Sequence, residues 1–188
     1  MKRRKINENK KVEPYRGDDI KGLSQKEVKI IAWLEFYQKY FFTTNDIEQF
    51  FTSKSILYNF IKRLVRKKRI VKLNKNKYYL IPIKAKSGAW IPYEFIIIDE
   101  ICNSGEYYIG GWTSANYWKL TDQVPFTIEV FTTKKQGKIN VLNTKIYFHR
   151  IRKFDKTKYV IKEIAEHEFK ILNRKESKKW LKSRELLI

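Results

Sequence analysis

The stretch TSKSILYNFIKRLVRKKRIVKLNKNKYYLI, residues 52–81, carries the clearest structural signal in the chain. In its first half, apolar residues recur as neighbouring pairs four positions apart, the spacing of one helical face. These residues are Ile56, Leu57, Phe60, Ile61, Leu64 and Val65. The opposite face carries Lys54, Ser55, Tyr58, Asn59, Lys62, Arg63 and Arg66. With Thr52 or Ser53 as N-cap, the pattern predicts a helix that docks through one face and presents a basic one.

The second half of this stretch predicts a β-hairpin. Arg69–Leu73 and Tyr78–Ile83 have the apolar, β-branched and aromatic character of strands. Between them, Asn74–Lys77 contains two asparagines, which tolerate the left-handed backbone of tight turns. The predicted hairpin therefore has a lysine-rich tip.

Two further helices are predicted upstream. Ser24-Gln25-Lys26-Glu27 matches a capping box, and the helix that follows is apolar nearly all round, as expected for the central helix of a small bundle. Its apolar positions include Val28, Ile31, Ala32, Leu34 and Phe36. A short helix from about Asn45 to Phe51 would follow the cap residues Thr43–Asp46 and bury Ile47, Phe50 and Phe51.

Three helices followed by a hairpin are the elements of a winged helix-turn-helix, expected over residues 23–83. In that fold the third helix enters the major groove of DNA. A helical domain with a merely solvated charged face is the alternative. Residues 1–22 are polar and aperiodic, so we expect a flexible basic arm there, with Lys2–Lys5 able to reach phosphates.

The distribution of charge favours a polyanionic partner. The formal net charge is +21, and residues 54–93 contain 12 Lys/Arg and no Asp/Glu. A solvated surface normally mixes both signs, whereas a basic stretch without acids is typical of nucleic-acid binding. A lysine-rich genome could explain a general excess of Lys, but not the absence of every acid from this stretch.

Composition also bounds the class of protein. A hydrophobic content of 43% predicts a packed core, and the single cysteine, Cys102, fits a reducing compartment. No apolar run approaches the roughly 18 residues of a membrane span, and no apolar segment follows the basic N-terminus as in a secretory signal. We therefore expect a cytoplasmic protein with no membrane partner.

The second half of the chain predicts a small mixed α/β domain over residues 93–188, after a linker at 84–92. A helix is expected to begin near Pro92, with a strand at Phe95–Ile98 as its competitor. Tyr107–Gly111 is predicted to be extended, and Thr113–Leu120 to be a helix capped by Thr113 or Ser114. The predicted later strands are Phe126–Thr132, Asn140–Leu142, Lys145–Ile151 and Lys158–Ile164. A final helix capped by Asn173 would carry a second basic surface formed by Arg174, Lys175, Lys178, Lys179 and Lys182.

Within this half, YYIGGWTSANYWKLTDQVPFTIEVFTT (residues 107–133) resembles the AbiEi-type antitoxins of abortive-infection systems. The resemblance rests on Tyr107–Gly111, Thr113–Ala115, Leu120–Pro125 and the later strand Lys145–Phe148, and with the preceding domain it covers about residues 24–165. It implies an N-terminal winged helix that represses its own operon. It also implies a C-terminal domain opposing a nucleotidyltransferase-like toxin, in which direct contact with the toxin is often not required. After about Ala165 the chain departs from the family pattern, since a single basic helix replaces longer helical segments.

We find no catalytic or metal-binding pattern. His149 and His167 lack metal-ligand spacing with Cys102, and Ser114 lacks the flanking glycines of a nucleophile elbow. Solvated faces explain Asp99-Glu100 and the Glu163, Glu166 and Glu168 set better than acid–base chemistry does. We therefore expect no enzyme activity and no cofactor.

These observations lead to one hypothesis and one alternative. The hypothesis is a sequence-specific repressor of a toxin–antitoxin operon that binds double-stranded operator DNA with inverted-repeat symmetry. The alternative is an antitoxin or adaptor that works by protein interaction, with the winged helix as a targeting or non-specific DNA-binding element. The candidate base contacts are Ser55, Tyr58, Asn59 and Lys62. The candidate phosphate contacts are Lys54, Arg63, Arg66, Lys67, Lys75 and Lys77.

Overall fold

The computed structural model describes residues 22–83, 85 and 93–185. Nearly all of the predicted arm (1–22) and most of the predicted linker (84–92) lie outside these residues. The described part has a mixed α+β fold with two sheets.

The helices of the described part are α1 (Gln25–Phe36), α2 (Thr44–Ile47, continued by a 3-10 turn at Glu48–Phe50), α3 (Lys54–Arg66), α4 (Glu94–Cys102), α5 (Gly111–Tyr117) and α6 (Arg174–Glu185). The strands are β1 (Phe41–Thr43), β2 (Ile70–Lys72), β3 (Lys77–Leu80), β4 (Tyr107–Gly110), β5 (Thr127–Thr132), β6 (Gly137–Val141), β7 (Thr144–Arg150), β8 (Tyr159–Ile164) and β9 (His167–Leu172).

The first sheet is small and antiparallel, with the strand order β1-β3-β2. Apolar side chains of α1, α2 and α3 form one hydrophobic cluster with it, which includes Ile30, Leu34, Ile47, Phe60, Leu64, Tyr78 and Leu80. The second sheet is mixed, in the order β6-β7-β5-β4-β9-β8, with β4–β9 and β5–β7 parallel. Its core contains Ile97 and Ile98 of α4 together with Ile109, Val130, Phe148 and Ile171.

Strand β3 is shared by both cores. Side chains alternate across a strand, so Tyr78 and Leu80 face the cluster of the first three helices, while Tyr79 and Ile81 join the cluster of the second sheet. All four are buried, as expected for a strand covered on both faces. The two halves of the chain therefore meet across a common hydrophobic strand.

Several local signals were predicted correctly. Ser24 and Glu27 form the capping box of α1, and Ser53 caps α3 through the amide of Ile56. In the hairpin turn, the side-chain oxygen of Asn74 accepts hydrogen bonds from the amides of Asn76 (3.1 Å) and Lys77 (3.0 Å). The segment after Tyr93 is helical, so the competing strand at Phe95–Ile98 is wrong.

Other predictions were wrong in their details. Helix α1 buries only one side, and Val28 and Phe36 are exposed, the latter by 79%. On α3, Ile56 and Val65 lie at the edge of the apolar stripe and are also exposed. In each case one face of the helix is enough to cover the neighbouring elements.

Helix α5 begins earlier than predicted. Gly110 occupies the N-cap position, so Thr113 and Ser114 lie inside the helix and neither caps it. The Ser114 hydroxyl is buried, 3.0 Å from the carbonyl of Gly111 and 3.1 Å from the hydroxyl of Ser177 in α6. Strands β1 and β9 were not predicted.

Candidate nucleic-acid interface

Helix α3 separates an apolar face from a polar one. Leu57, Phe60, Ile61 and Leu64 are buried against the first core. All seven polar residues predicted for the other face are exposed, namely Lys54, Ser55, Tyr58, Asn59, Lys62, Arg63 and Arg66. The helix is therefore held from one side and open on the other.

The four candidate base contacts lie along a single ridge of α3. Ser55, Tyr58, Asn59 and Lys62 are spaced i, i+3, i+4 and i+7, so their side chains project from one strip of the helix surface. Asn can pair with adenine and Lys with guanine in the major groove. The structure thus brings together the four residues predicted from the sequence to contact bases.

One acidic residue lies close to the α3 ridge in the folded structure. Glu48, in the 3-10 turn after α2, lines a hollow of about 50 Å³ together with Lys54 and Tyr58. Its carboxylate would disfavour a phosphate at this point. The absence of acids from residues 54–93 of the sequence did not reveal this neighbour, because Glu48 comes from the preceding element.

Lys67 is engaged inside the protein. Its ammonium lies 2.6 Å from Glu27 Oε2 and 2.9 Å from the carbonyl of Gly22, and its side chain is only 11% exposed. Burial raises the pKa of the Glu27 carboxyl, but hydrogen bonds from Lys67 and Ser24 outweigh it, so its net pKa lies below the usual value. Glu27 is therefore an anion at neutral pH, and Lys67 neutralises it. Lys67 is therefore not free to contact a phosphate, contrary to the prediction from the sequence.

Arg63 lies near Glu27 but is also exposed to solvent. Its Nε lies 3.7 Å from Glu27 Oε1, which is longer than a hydrogen bond, and its side chain is 46% exposed. It can turn toward a phosphate without breaking a hydrogen bond to Glu27.

The hairpin tip is tied to the C-terminal end of α4. The Asn74 amide nitrogen donates toward the carbonyls of Glu100 (3.2 Å) and Ile101 (3.4 Å) and the side-chain oxygen of Asn103 (3.1 Å). Lys77 forms an ion pair with Glu100. Lys77 is therefore engaged within the protein and, like Lys67, is not free to contact a phosphate. Lys75 remains exposed at the tip.

A second basic surface lies on α6. Asn173 caps this helix, as predicted, by accepting a hydrogen bond from the amide of Glu176 at 2.8 Å. Buried Ser177 and the contact between Trp180 and Trp112 hold α6 against α5. The five predicted cations, Arg174, Lys175, Lys178, Lys179 and Lys182, are all exposed.

The residues that carry the antitoxin resemblance have structural roles. Tyr107 is buried, and its hydroxyl donates to Asp99 at 2.7 Å. A side chain at Gly110 would strike the ring of Phe131 at 2.6 Å. Gly111 has a φ of +60°, and a Cβ there would lie 1.4 Å from the Glu129 carboxylate, which accepts the amide of Trp112. The two glycines position α5 on the sheet, and Tyr107 links β4 to α4.

Comparison with known proteins gives a likeness of fold. No protein-family model and no curated protein matches the chain. The crystal structure of the RV2827C protein from Mycobacterium tuberculosis is similar over 71% of this chain, with a TM-score of 0.50 and 12% identity. The matched part spans about half of that structure, 48% of its chain. The likeness concerns the fold alone.

The described residues show neither a metal-binding cluster nor a helix that could span a membrane. No group of three or more His, Cys, Asp or Glu side chains there is arranged to hold a metal ion. None of the helices in this part of the chain has the length and apolar character of a membrane span. Burial raises the pKa of the Cys102 thiol to about 12, so this cysteine is protonated at neutral pH.

Proposed function

We propose that the chain is a sequence-specific DNA-binding repressor and the antitoxin of a toxin–antitoxin operon that it regulates itself. Its N-terminal half would be a winged helix-turn-helix, with α3 as the recognition helix and β2–β3 as the wing. The order α1–β1–α2–α3–β2–β3 and the three-stranded sheet support this assignment. In this proposal the chain is not an enzyme and acts in the cytoplasm.

The observation that carries the proposal is the exposed ridge of α3. A helix that enters the major groove needs a row of donors and acceptors to meet base edges, with cations beside it for the phosphates. Ser55, Tyr58, Asn59 and Lys62 supply the row. Of the nominated phosphate contacts, Lys54, Arg63, Arg66 and Lys75 are exposed beside the row or on the hairpin, and Glu48 lies near Lys54.

Two single substitutions test these roles on labelled duplex DNA from upstream of the chain's own gene. Asn59→Ala is expected to reduce affinity for the operator by roughly tenfold and affinity for random duplex much less, because it removes a base contact worth ~1–3 kcal/mol. Lys75→Ala is expected to weaken both duplexes by a similar factor, because a phosphate contact carries no sequence information. Equal losses on both duplexes for Asn59→Ala would exclude it as a base-reading residue.

The antitoxin part of the proposal rests on the resemblance of residues 107–133. The test is co-expression with the nucleotidyltransferase-like protein encoded beside this gene. Wild-type protein is expected to restore growth, and Asn59→Ala is expected to restore growth while failing to repress a reporter behind the operator. A neighbouring gene of another class, or growth that is not restored, would overturn the antitoxin assignment and leave repression standing.

The second candidate is an adaptor that acts by protein interaction. An exposed apolar loop favours it: Val124 is 76% and Phe126 is 96% exposed. The loop borders a hollow of about 580 Å³ that is also lined by Trp112 and Tyr147. If this candidate is correct, operator and random duplex will bind equally, and Phe126→Ser will abolish neutralisation without changing DNA affinity.

A further inference from the structure

Exposed cations from two separate segments meet beside α6. One segment is the loop between β7 and β8, and the other is α6 itself. Together they form what we call the α6 patch: Arg152, Lys153, Lys156, Lys158, Arg174, Lys175, Lys178, Lys179, Lys182 and Arg184. Asp155 and Glu176 are the acids of residues 151–158 and 173–184. The patch therefore has a large positive excess, on elements separate from α3.

Asn173 joins the two segments. Its backbone amide donates to the carbonyl of Lys158 at 2.8 Å, and its side-chain nitrogen donates to the carbonyl of Thr157 at 3.0 Å. Asp155 is occupied locally, because its carboxylate accepts from both the amide (2.9 Å) and the hydroxyl (2.7 Å) of Thr157. These hydrogen bonds hold the loop against the start of α6. The cations of the loop therefore lie next to those of the helix.

An aromatic hollow opens within the α6 patch. It has a volume of about 300 Å³, and its walls include Tyr108, Phe131 and Trp180 together with Lys158, Lys179 and one acid, Glu176. The Phe131 ring is stacked between those of Tyr108 (centroids 5.3 Å apart, planes at 10°) and His149 (4.6 Å, 12°), so Trp180 is the wall on which a base would stack. Trp180 is fixed by an edge contact with Trp112, and the Arg184 guanidinium lies 5.5 Å from its ring.

We propose that the α6 patch binds single-stranded nucleic acid, with its cations along the phosphates and one unpaired base in the aromatic hollow. Proteins that bind single strands combine a positive groove with aromatic rings on which bases stack. A base inside a duplex is paired and stacked, so it cannot enter such a hollow. An acidic protein would meet the cations, but its carboxylates would not enter an aromatic hollow that is also lined by the Glu176 carboxylate. This activity is separate from operator binding by α3.

The test uses the full-length protein and fluorescence anisotropy. The probes are labelled oligo-dT and oligo-rU of about twelve nucleotides, within the site size of such proteins, and a duplex of the same length without the operator. Oligo-dT or oligo-rU is expected to bind more tightly than the duplex at equal salt. Oligo-dU, which differs from oligo-rU only in the 2′-hydroxyl, then separates preference for DNA or RNA from any effect of the thymine methyl group.

Substitutions assign the binding to the patch. Trp180→Ala is expected to weaken single-strand binding by roughly tenfold, the effect of losing one base–aromatic stack, while duplex affinity changes little. Because Trp180 also supports α6, a second variant removes exposed groups only: Lys158→Gln with Lys179→Gln is expected to weaken single-strand binding by a similar factor. The matched control is Lys119→Gln with Lys145→Gln, which removes two exposed lysines elsewhere and is expected to cause less than a twofold change.

Three results would overturn the proposal. The first is single-strand affinity that is unchanged in both α6 variants. The second is a loss in the control as large as in the Lys158/Lys179 variant, since binding would then depend on net charge alone. The third is competition by poly-glutamate as strong as by oligo-dT together with no effect of Trp180→Ala, which would identify the α6 patch as a surface for an acidic protein. Asn59→Ala is expected to leave single-strand affinity unchanged while it weakens operator binding, so failure here is distinguishable from failure of the repressor assignment.

Discussion

At the scale of single residues, the cations of the acid-free stretch have different roles although the sequence presents them alike. Lys54 and Lys67 lie at opposite ends of the same helix, one exposed and one paired with buried Glu27. What separates them is the position of Glu27, 40 residues from Lys67 in the sequence. Charge counting along the chain therefore identifies a basic region but not which cations are free.

Lys67→Gln is expected to lower stability, whereas Lys54→Gln is expected to lower affinity for duplex DNA. Lys67→Gln leaves the Glu27 carboxylate buried without its main partner, so the free energy of unfolding should fall by about 2–4 kcal/mol, with little change in affinity for duplex DNA. Lys54→Gln should weaken duplex binding severalfold and leave stability within about 0.5 kcal/mol of wild type. Urea denaturation and anisotropy on the same preparations measure both. A stable Lys67→Gln protein with reduced DNA affinity would restore Lys67 as a phosphate contact.

The ion pair between Glu27 and Lys67 predicts part of the acid sensitivity of the fold. The folded-state pKa of Glu27 lies below its ordinary value of 4.5, so the folded protein favours the ionised form more than the unfolded chain does. Its contribution to stability is therefore complete above that value and is lost as the pH falls below it through the folded pKa. Glu27→Gln should be less stable than wild type at pH 7, with a difference that shrinks as the pH is lowered into this range. A difference that stays constant at every pH would show that the carboxylate charge does not stabilise the fold.

At the scale of elements, the placement of α5 depends on two consecutive glycines. Gly111 adopts a left-handed backbone, and Glu129 occupies the space where its side chain would be. The Glu129 carboxylate in turn accepts a hydrogen bond from the amide of Trp112, in the first turn of the helix, at 3.0 Å. This arrangement explains why α5 begins at Gly111 and not at the Thr113-Ser114 pair.

Gly111→Ala should accordingly destabilise the protein strongly. The left-handed conformation alone costs roughly 1–2 kcal/mol for a residue with a Cβ, and the clash with Glu129 adds to it. In a Glu129→Ala background the same substitution should cost less, because the carboxylate that fills the Cβ position has been removed. A double-mutant cycle by chemical denaturation measures the coupling. Additive effects of the two substitutions would contradict the contact.

The helices and strands also show which sequence signals are enough to predict an element. Caps are short-range, so Ser24, Glu27, Ser53 and Asn173 could be identified from neighbouring residues alone. Strand β1 could not, because its three residues are extended only through pairing with β3, as in Phe42 opposite Tyr78. The ridge of α3 was predictable from periodicity, whereas the partners of Lys67 and Lys77 come from other elements and depend on the tertiary fold.

At the scale of the whole molecule, the hairpin that would serve as a wing is also part of the junction between the two halves. Leu73, Tyr79 and Ile81 are buried in the core of the second sheet, and Asn74 and Lys77 bind the end of α4. The tip can therefore present Lys75 to DNA only in the position that α4 gives it. In the proposed winged helix the hairpin would therefore be fixed, and the second half of the chain would set the width of the surface that faces the duplex.

This junction changes the expected salt dependence of operator binding. Six phosphate contacts, as nominated from the sequence, would reduce affinity by roughly a thousandfold between about 50 and 200 mM salt. With Lys67 and Lys77 engaged internally, the four remaining contacts per protein molecule predict a decrease of roughly a hundredfold over the same range. Lys75→Ala should make the slope shallower by about one phosphate. Lys77→Ala should leave the slope unchanged and lower stability, since it breaks the ion pair with Glu100. A salt titration of wild type and both variants on one operator duplex measures these slopes, and equal reductions in slope for both variants would show that the hairpin detaches from α4 when it binds DNA.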